Sequence, residues 1–313
     1  MGALGADLRL RQRGGDPARG FDFTRGALPQ GAALARGSPG YRVDAAGNLA
    51  SVATDGARFD HRLAGALWVP AGLLAEPAAT NLFLNSDTLS STGGGNSALS
   101  SDGTLAPTGV AAQKLSAIAA GAAVRNQPIV VAGGAVSFSV FARKGTGPAV
   151  ANRFGISNVT RSTNLVFCTL NYDSGAISYN SGSSGASAEA LAGGWWRVSI
   201  VVTGVIAGDQ LNFYLGFPGS TAAAGDFCYL SGAQVEVGAA PTSYVASGAS
   251  AGVRAADVVT LDWASRGVGD GAATLRHEFD GGGTQDQATT IAGGSAVLAT
   301  NLTARRILRV TAL

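Results

Sequence analysis

The chain has 313 residues, 46 of them glycine, with 46% hydrophobic and 13% charged side chains and a formal net charge of +2. A balance this near neutral gives no electrostatic reason to expect nucleic-acid binding, which rests on a clustered basic face, and no apolar run approaches the length of a membrane span. Glycine without a collagen period, scattered between short runs rich in Val, Ile, Phe and Thr, predicts an all-β chain of short strands joined by tight turns.

Taken in order, residues 1 to about 37 carry Arg, Gly and Ala without sustained periodicity, and Phe21-Asp-Phe-Thr-Arg25 is the one strand-like piece. A docking arm and plain disorder are both open readings there. Met1 to Gly20 lacks an apolar core, so no conventional export signal is expected. From Tyr41 to Phe59 the pattern is strand, turn (Asp44-Ala-Ala-Gly-Asn48), strand. A two-stranded hairpin is marginal alone and must lie against something larger. Trp68 reads as packing. Residues 1–80 are thus expected as an N-terminal arm and hairpin with a docking role.

Residues 81–252 form the main unit. Strands are predicted at 81–85, 110–116, 123–131, 134–143, 152–159, 164–172, 175–180, 195–204, 209–217 and 227–237, with glycine or Asp/Asn/Ser turns between them. So many short strands at close spacing predict an antiparallel jelly-roll β-sandwich. The polar stretch Ser86 to Ala106 reads as a long surface loop. Residues 253–313 start a second β pattern of five short strands, a small C-terminal β domain. It is too small to bury a sizeable core alone and is expected to share one with the N-terminal hairpin or another subunit.

Chemistry is sparse. The two histidines, His61 and His277, lie in different segments, and no nucleophile elbow, HExxH, phosphate loop or paired CxxC is present. No catalytic residue and no His/Cys metal site is expected. A glycosidase needs two facing carboxylates. Asp173, Glu189, Asp209, Asp226 and Glu236 are the candidates, with surface or turn positions the plainer account. Cys168 and Cys228 are expected to remain thiols, Cys168 as a small buried hydrophobe.

Strand faces say more. In Trp195 to Val202 one face is Trp196, Val198, Ile200 and Val202, and the other is Trp195, Arg197 and Ser199. In Leu211 to Phe217 the apolar face is Leu211, Phe213, Leu215 and Phe217, which leaves Asn212 and Tyr214 outward. Gly204 to Asp209 reads as a hairpin turn, which sets Val198 opposite Phe213, Arg197 opposite Tyr214 and Ser199 opposite Asn212. Trp195, Arg197, Asn212 and Tyr214 then form one outward patch, which Phe141 and Arg143 extend from the strand Val136 to Arg143, whose core face is Phe138, Val140 and Ala142. Rings against pyranose faces and planar polar groups for paired hydroxyls make this a carbohydrate-binding candidate. The structural alternative is that Trp195 and Arg197 pack under a loop or stack on each other.

Three ordered motifs carry a resemblance: Gly72-Leu-Leu-Ala-Glu-Pro-Ala-Ala-Thr-Asn-Leu82, Gly194-Trp-Trp-Arg-Val-Ser199, and Gly232-Ala-Gln-Val-Glu-Val-Gly-Ala-Ala-Pro-Thr-Ser-Tyr244 with Arg254-Ala-Ala-Asp257. Together they resemble the carbohydrate-binding-like jelly rolls of bacteriophage head spikes, minor tail proteins and tail fibres. The resemblance implies a virion component of a phage-like particle or gene transfer agent, assembled in bacterial cytoplasm, that attaches to host surface or capsular polysaccharide. Other virion proteins would be its partners. A head spike is favoured over a tail fibre because the chain is short and has no heptad stalk. A capsule depolymerase and a purely structural tail-fibre role are the alternatives, and the first lacks the expected solenoid repeat. No cofactor is implied beyond a structural calcium, for which Asp226 or Asn81 would supply oxygens.

Overall fold

Strand alternation with a period of two is realised almost everywhere in the computed structural model, which describes residues 19–146, 150–217 and 222–313. In chain order the first strands are β1 (Gly20–Asp22), β2 (Ala32–Ala35), β3 (Gly40–Val43), β4 (Leu49–Val52), β5 (Phe59–Ala64), β6 (Leu67–Leu74) and β7 (Ala79–Asn81). There follow β8 (Gly93–Gly95), β9 (Ser97–Leu105), β10 (Ala111–Ala117), β11 (Ala123–Val130), β12 (Gly134–Lys144) and β13 (Val150–Asn158). Next come β14 (Thr163–Asn171), β15 (Ile177–Ser181), β16 (Ala186–Leu191), β17 (Trp195–Val205), β18 (Gln210–Phe217) and β19 (Phe227–Val237). The last are β20 (Gly252–Arg254), β21 (Val258–Asp262), β22 (Gly271–Phe279), β23 (Thr284–Ile291), β24 (Ser295–Val297) and β25 (Arg306–Ala312).

Strands β8 to β19 make an antiparallel jelly-roll sandwich of two six-stranded sheets. The first has the order β16-β17-β12-β19-β10-β9 and the second β15-β14-β13-β18-β11-β8. Between them lie Phe138, Val140, Phe154, Ile156, Cys168, Leu170, Val198, Ile200, Phe213 and Leu215, all buried. Cys168 and Cys228 are both buried and carry no disulfide.

Two expectations are corrected here. The stretch Ser86 to Ala106 is not a plain loop, since it contains β8 and β9. As the sheet-edge neighbour of β10, β9 has a broken alternation of burial that leaves Ala98, Ser100, Ser101, Gly103 and Leu105 exposed. That is the composition of an exposed edge, and it hides the strand from a reading based on β-branched residues. Strands β17 and β18 are not a hairpin. β17 pairs with β12 and β16, whereas β18 pairs with β11 and β13. Gly204 to Asp209 therefore carries the chain from one sheet to the other.

The ends of the chain build a second unit together. Its main sheet has the order β23-β22-β25-β6-β5, with β1 also on β25, and β2 pairs with β21. Phe21, Phe23, Phe59 and Leu73 share one core with Trp263, Leu275, Phe279, Ile307 and Val310. A few short strands at each end could not bury this much apolar surface apart.

The resemblance motifs meet where the two units join. Glu76 receives the backbone N–H and hydroxyl of Ser243 at 2.8 and 2.7 Å and pairs with Arg58 at 2.8 Å and Arg305 at 3.2 Å. Asp257 pairs with Arg36 at 3.0 Å and with Arg58, and Arg254 lies 3.5 Å from Glu76. Glu76, Asp257, Arg36, Arg58 and Arg254 are all buried. Burying a charge is costly unless it is paired or hydrogen-bonded. Asn81 uses its whole amide in the same junction, donating to the carbonyls of Ala233 and Val245 and accepting from the N–H groups of Phe83 and Val235. Its oxygen is thereby committed to the protein backbone rather than to a cation.

Candidate carbohydrate platform

The six residues expected as one patch fall on two opposite outer faces. Trp195, Arg197, Phe141 and Arg143 belong to the first sheet, where Phe141 stands opposite Arg197 and Arg143 opposite Trp195. Asn212 and Tyr214 belong to the second. The alternation within each strand is as expected: Val198 and Ile200 face the sandwich core, Trp196 is partly buried against it, and its indole N–H donates to the carbonyl of Tyr172 at 2.9 Å. The side chain of Phe217 lies outside the described residues.

The face bearing Trp195 is not open. Trp195, at 4% exposure, and Phe141, at 1%, join Val43, Leu191 and Tyr244 in a separate core cluster, with Tyr41, Leu49 and Trp68 packed on it. The hairpin β3-β4 and Trp68 thus roof the first sheet, and Trp195 and Phe141 are covered side chains rather than parts of an open patch. Trp68 itself lies against Gly47, where any side chain would overlap its ring at 2.1 Å. Arg197 is buried as well and donates from Nη2 to the hydroxyl of Ser139 at 2.9 Å and the carbonyl of Thr242 at 2.7 Å. Burial, together with the neighbouring Arg305 charge, lowers its pKa to about 10. Arg143 is half-buried and lines no part of the second face.

Beside that roof, a cleft of about 1250 Å³ separates the sandwich from the terminal unit, and Glu189, Glu236, Arg197, Arg305 and Arg306 are among its lining residues. Its carboxylates are engaged. Glu189 pairs with Arg306 and Arg305, and Glu236 accepts from Thr242 and Gln234. Burial alone would raise the Glu189 pKa, but the two arginines outweigh it and hold the group below its ordinary value. A general acid needs the opposite shift. Of the other catalytic candidates, Asp173 pairs with Lys144 and Asp209 with Arg161.

The outer face of the second sheet is built differently. Phe154 and Ile156 of β13, Cys168 of β14 and Phe213 of β18 point into the core, so Arg153, Gly155 and Ser157, Phe167 and Thr169, and Asn212 and Tyr214 point out. Gly155 is paired with Phe167 on one side and Tyr214 on the other. A Cβ at Gly155 would meet the Phe167 ring at 2.2 Å, so the glycine lets that ring lie flat on the sheet. The Arg153 guanidinium stacks over the ring at 4.3 Å, and the Tyr214 ring is tilted against it at 5.3 Å. Asn212 donates to the Tyr214 hydroxyl at 3.3 Å, and Asn126 and Ser157 also hydrogen-bond to it. Partial burial would raise the Tyr214 pKa, but these bonds and the Arg153 charge outweigh it and leave the phenol below its ordinary value. Thr169 donates to Asn180 at 2.9 Å on the neighbouring strand.

Tyr214 and Arg153 therefore form an aromatic and guanidinium platform braced on the buried Phe167 ring and bordered by Asn126, Ser157, Asn212 and Asn180. Of the six expected residues, Asn212 and Tyr214 lie on this face. Arg153, Phe167, Asn126 and Ser157 were missed because no local signal pairs their strands with β18. The glycine inside an otherwise regular strand at Gly155 was the one available clue to a close approach.

No protein-family model and no curated protein matches the chain. Among solved structures, the xylan-binding CBM22-1 domain of Paenibacillus barcinonensis Xyn10C is 12% identical, with a TM-score of 0.34 over 53% of this chain and 99% of that one. A CBM61 module solved with β-1,4-galactotriose is 12% identical, with a TM-score of 0.32 over 50% of this chain and 97% of its own. The tandem CBM22-1 and CBM22-2 unit of the same Paenibacillus protein is 16% identical, with a TM-score of 0.34 over 70% and 76% of the two chains. At these TM-scores nothing about fold detail or ligand is carried over from those structures.

Proposed function

We propose that this chain is a structural, host-recognition component of a phage-like particle or gene transfer agent that binds cell-surface or capsular polysaccharide through the outer face of its second sheet. The observation that carries the binding role is the platform of Tyr214, Phe167 and Arg153. It offers the half-buried Tyr214 ring for the apolar face of a sugar, with Phe167 as the buried support beneath Arg153, and fixed polar groups for hydroxyls on a rigid sheet. The particle role, as a head spike or decoration whose partners are other virion proteins, rests on the resemblance of the three motifs. Those motifs form the junction between the units, so they speak for architecture rather than for the ligand. Binding without turnover is part of the proposal, supported by the engagement of the cleft carboxylates in ion pairs and hydrogen bonds.

The test is titration of the full chain against a panel of host surface and capsular polysaccharides. Tyr214→Ala is expected to weaken binding about tenfold at an unchanged melting temperature, since a buried-edge aromatic anchor contributes on the order of 1–3 kcal/mol. Undiminished binding by a stably folded Tyr214→Ala, Asn212→Ala double variant would end the assignment of this face. Antibody labelling of purified particles checks the location, and label confined to the tail tip would refute a head position.

A further inference from the structure

We infer that the glycan taken by this platform is acidic, with a sugar carboxylate bound by Arg153; this rests on the glycan-binding reading above. The inference starts from a compositional asymmetry between the sheets. None of the six strands of the second sheet contains an Asp or Glu. The first sheet carries Asp102, Glu189 and Glu236 on its strands. The acid-free sheet nonetheless holds two arginines, and they are used differently. Arg125 donates to the carbonyls of Thr92 and Ser97 and is consumed in holding the β8 and β9 edge.

Arg153 lies on the outer face and forms no ion pair with any described residue. Its Nε is buried without a hydrogen-bond partner. The carboxylates on adjoining loops, Asp173 after β14 and Asp209 before β18, are already paired with Lys144 and Arg161. Arg36, Arg58 and Arg254 of the junction network, by contrast, each meet a carboxylate.

The Arg153 guanidinium is held over the Phe167 ring, 4.3 Å from its centroid. Its donors then form a pre-set fork of the geometry that a carboxylate fills with two parallel hydrogen bonds. The remaining polar groups of the platform, Asn126, Ser157, Asn212 and Tyr214, are neutral and suit ring hydroxyls. A cation set among neutral donors, with no competing acid on its own sheet, favours an anionic over a neutral sugar at that position. The substrate class that fits is a polysaccharide containing uronic acid.

The test uses the full chain with alginate, polygalacturonate and hyaluronan, each beside its carboxyl-reduced, neutral counterpart. Binding to at least one acidic polymer is expected, weakened tenfold or more by carboxyl reduction and by Arg153→Gln. Raised salt should weaken it too. The comparison of native with reduced polymer uses wild-type protein and stands even if Arg153→Gln folds poorly. Equal binding to a polymer and its reduced form, abolished by Tyr214→Ala, would overturn the acidic assignment and leave the platform reading intact. Absence of binding to every polymer, acidic and reduced alike, would overturn both.

Discussion

At the residue scale the platform depends on what is absent at Gly155. The flat seating of Phe167, and through it the orientation of Arg153, requires that no Cβ stand there. Gly155→Val should force the ring off the sheet at a cost of about 1–3 kcal/mol, as overpacking usually does. Glycan affinity should fall with it, although Gly155 itself offers a ligand no side chain. Thermal melts and titrations of the same variant check this, and a stable variant with full affinity would show that the stack is not required. Tyr214 makes a complementary case. Its ring can be removed without opening a core, which is why binding and stability are expected to separate there.

At the element scale the hairpin β3-β4 determines which face of the sandwich is available. Alternation alone places Trp195 on an outer face, and that is where it lies, but Tyr41, Leu49 and Trp68 cover it. Trp195→Ala should therefore behave as a core truncation, costing about 3–5 kcal/mol, with polysaccharide binding by the remaining folded protein unchanged. Chemical denaturation beside a titration below the melting temperature measures both. A loss of affinity without a loss of stability would return Trp195 to the binding site. The edge strands β9 and β16 belong to this scale too. Their small and polar residues conceal them in the sequence, because an edge needs few buried contacts and gains from a hydrophilic rim.

At the scale of the whole molecule, the buried charges at the junction hold the sandwich to the unit formed by the two ends of the chain. Asp257 faces both Arg36 and Arg58, so Asp257→Ala leaves two buried cations undercompensated and should destabilise the fold by about 3–5 kcal/mol. A change below 1 kcal/mol in denaturant melts would show that the network is dispensable. The network also sets an acid limit. Burial would raise the pKa of Glu76, but Arg58, Arg305 and Arg254 outweigh it and hold the carboxylate well below its ordinary 4.5. With the folded value below the unfolded one, the unfolded chain binds the proton first. The contribution of Glu76 is therefore complete above about pH 4.5 and is lost as pH falls below it. The melting temperature should drop through that window, and less steeply in Glu76→Gln. Identical slopes would assign the acid sensitivity to other groups.

The sequence alone determined the class, most strands of the sandwich interior and the inward faces of β12, β17 and β18. These follow from a local rule: successive side chains in a strand point to opposite sides, so apolar alternation names the core without reference to any partner. The motifs Gly72 to Leu82 and Arg254 to Asp257, read there as a resemblance, contain Glu76, Asn81, Arg254 and Asp257, although nothing in the sequence showed that these residues meet. Tertiary structure alone decided which strands are neighbours and which outer face stays open. The assumption of a β17-β18 hairpin failed because the turn at Gly204 to Asp209 looks the same whether the chain returns beside itself or crosses to the opposite sheet. The roof over Trp195 comes from residues more than a hundred positions away, and the brace around Tyr214 comes from strands joined to it only by pairing. Contacts of that kind are fixed by the layering of sheets, and no local pattern in the chain encodes them.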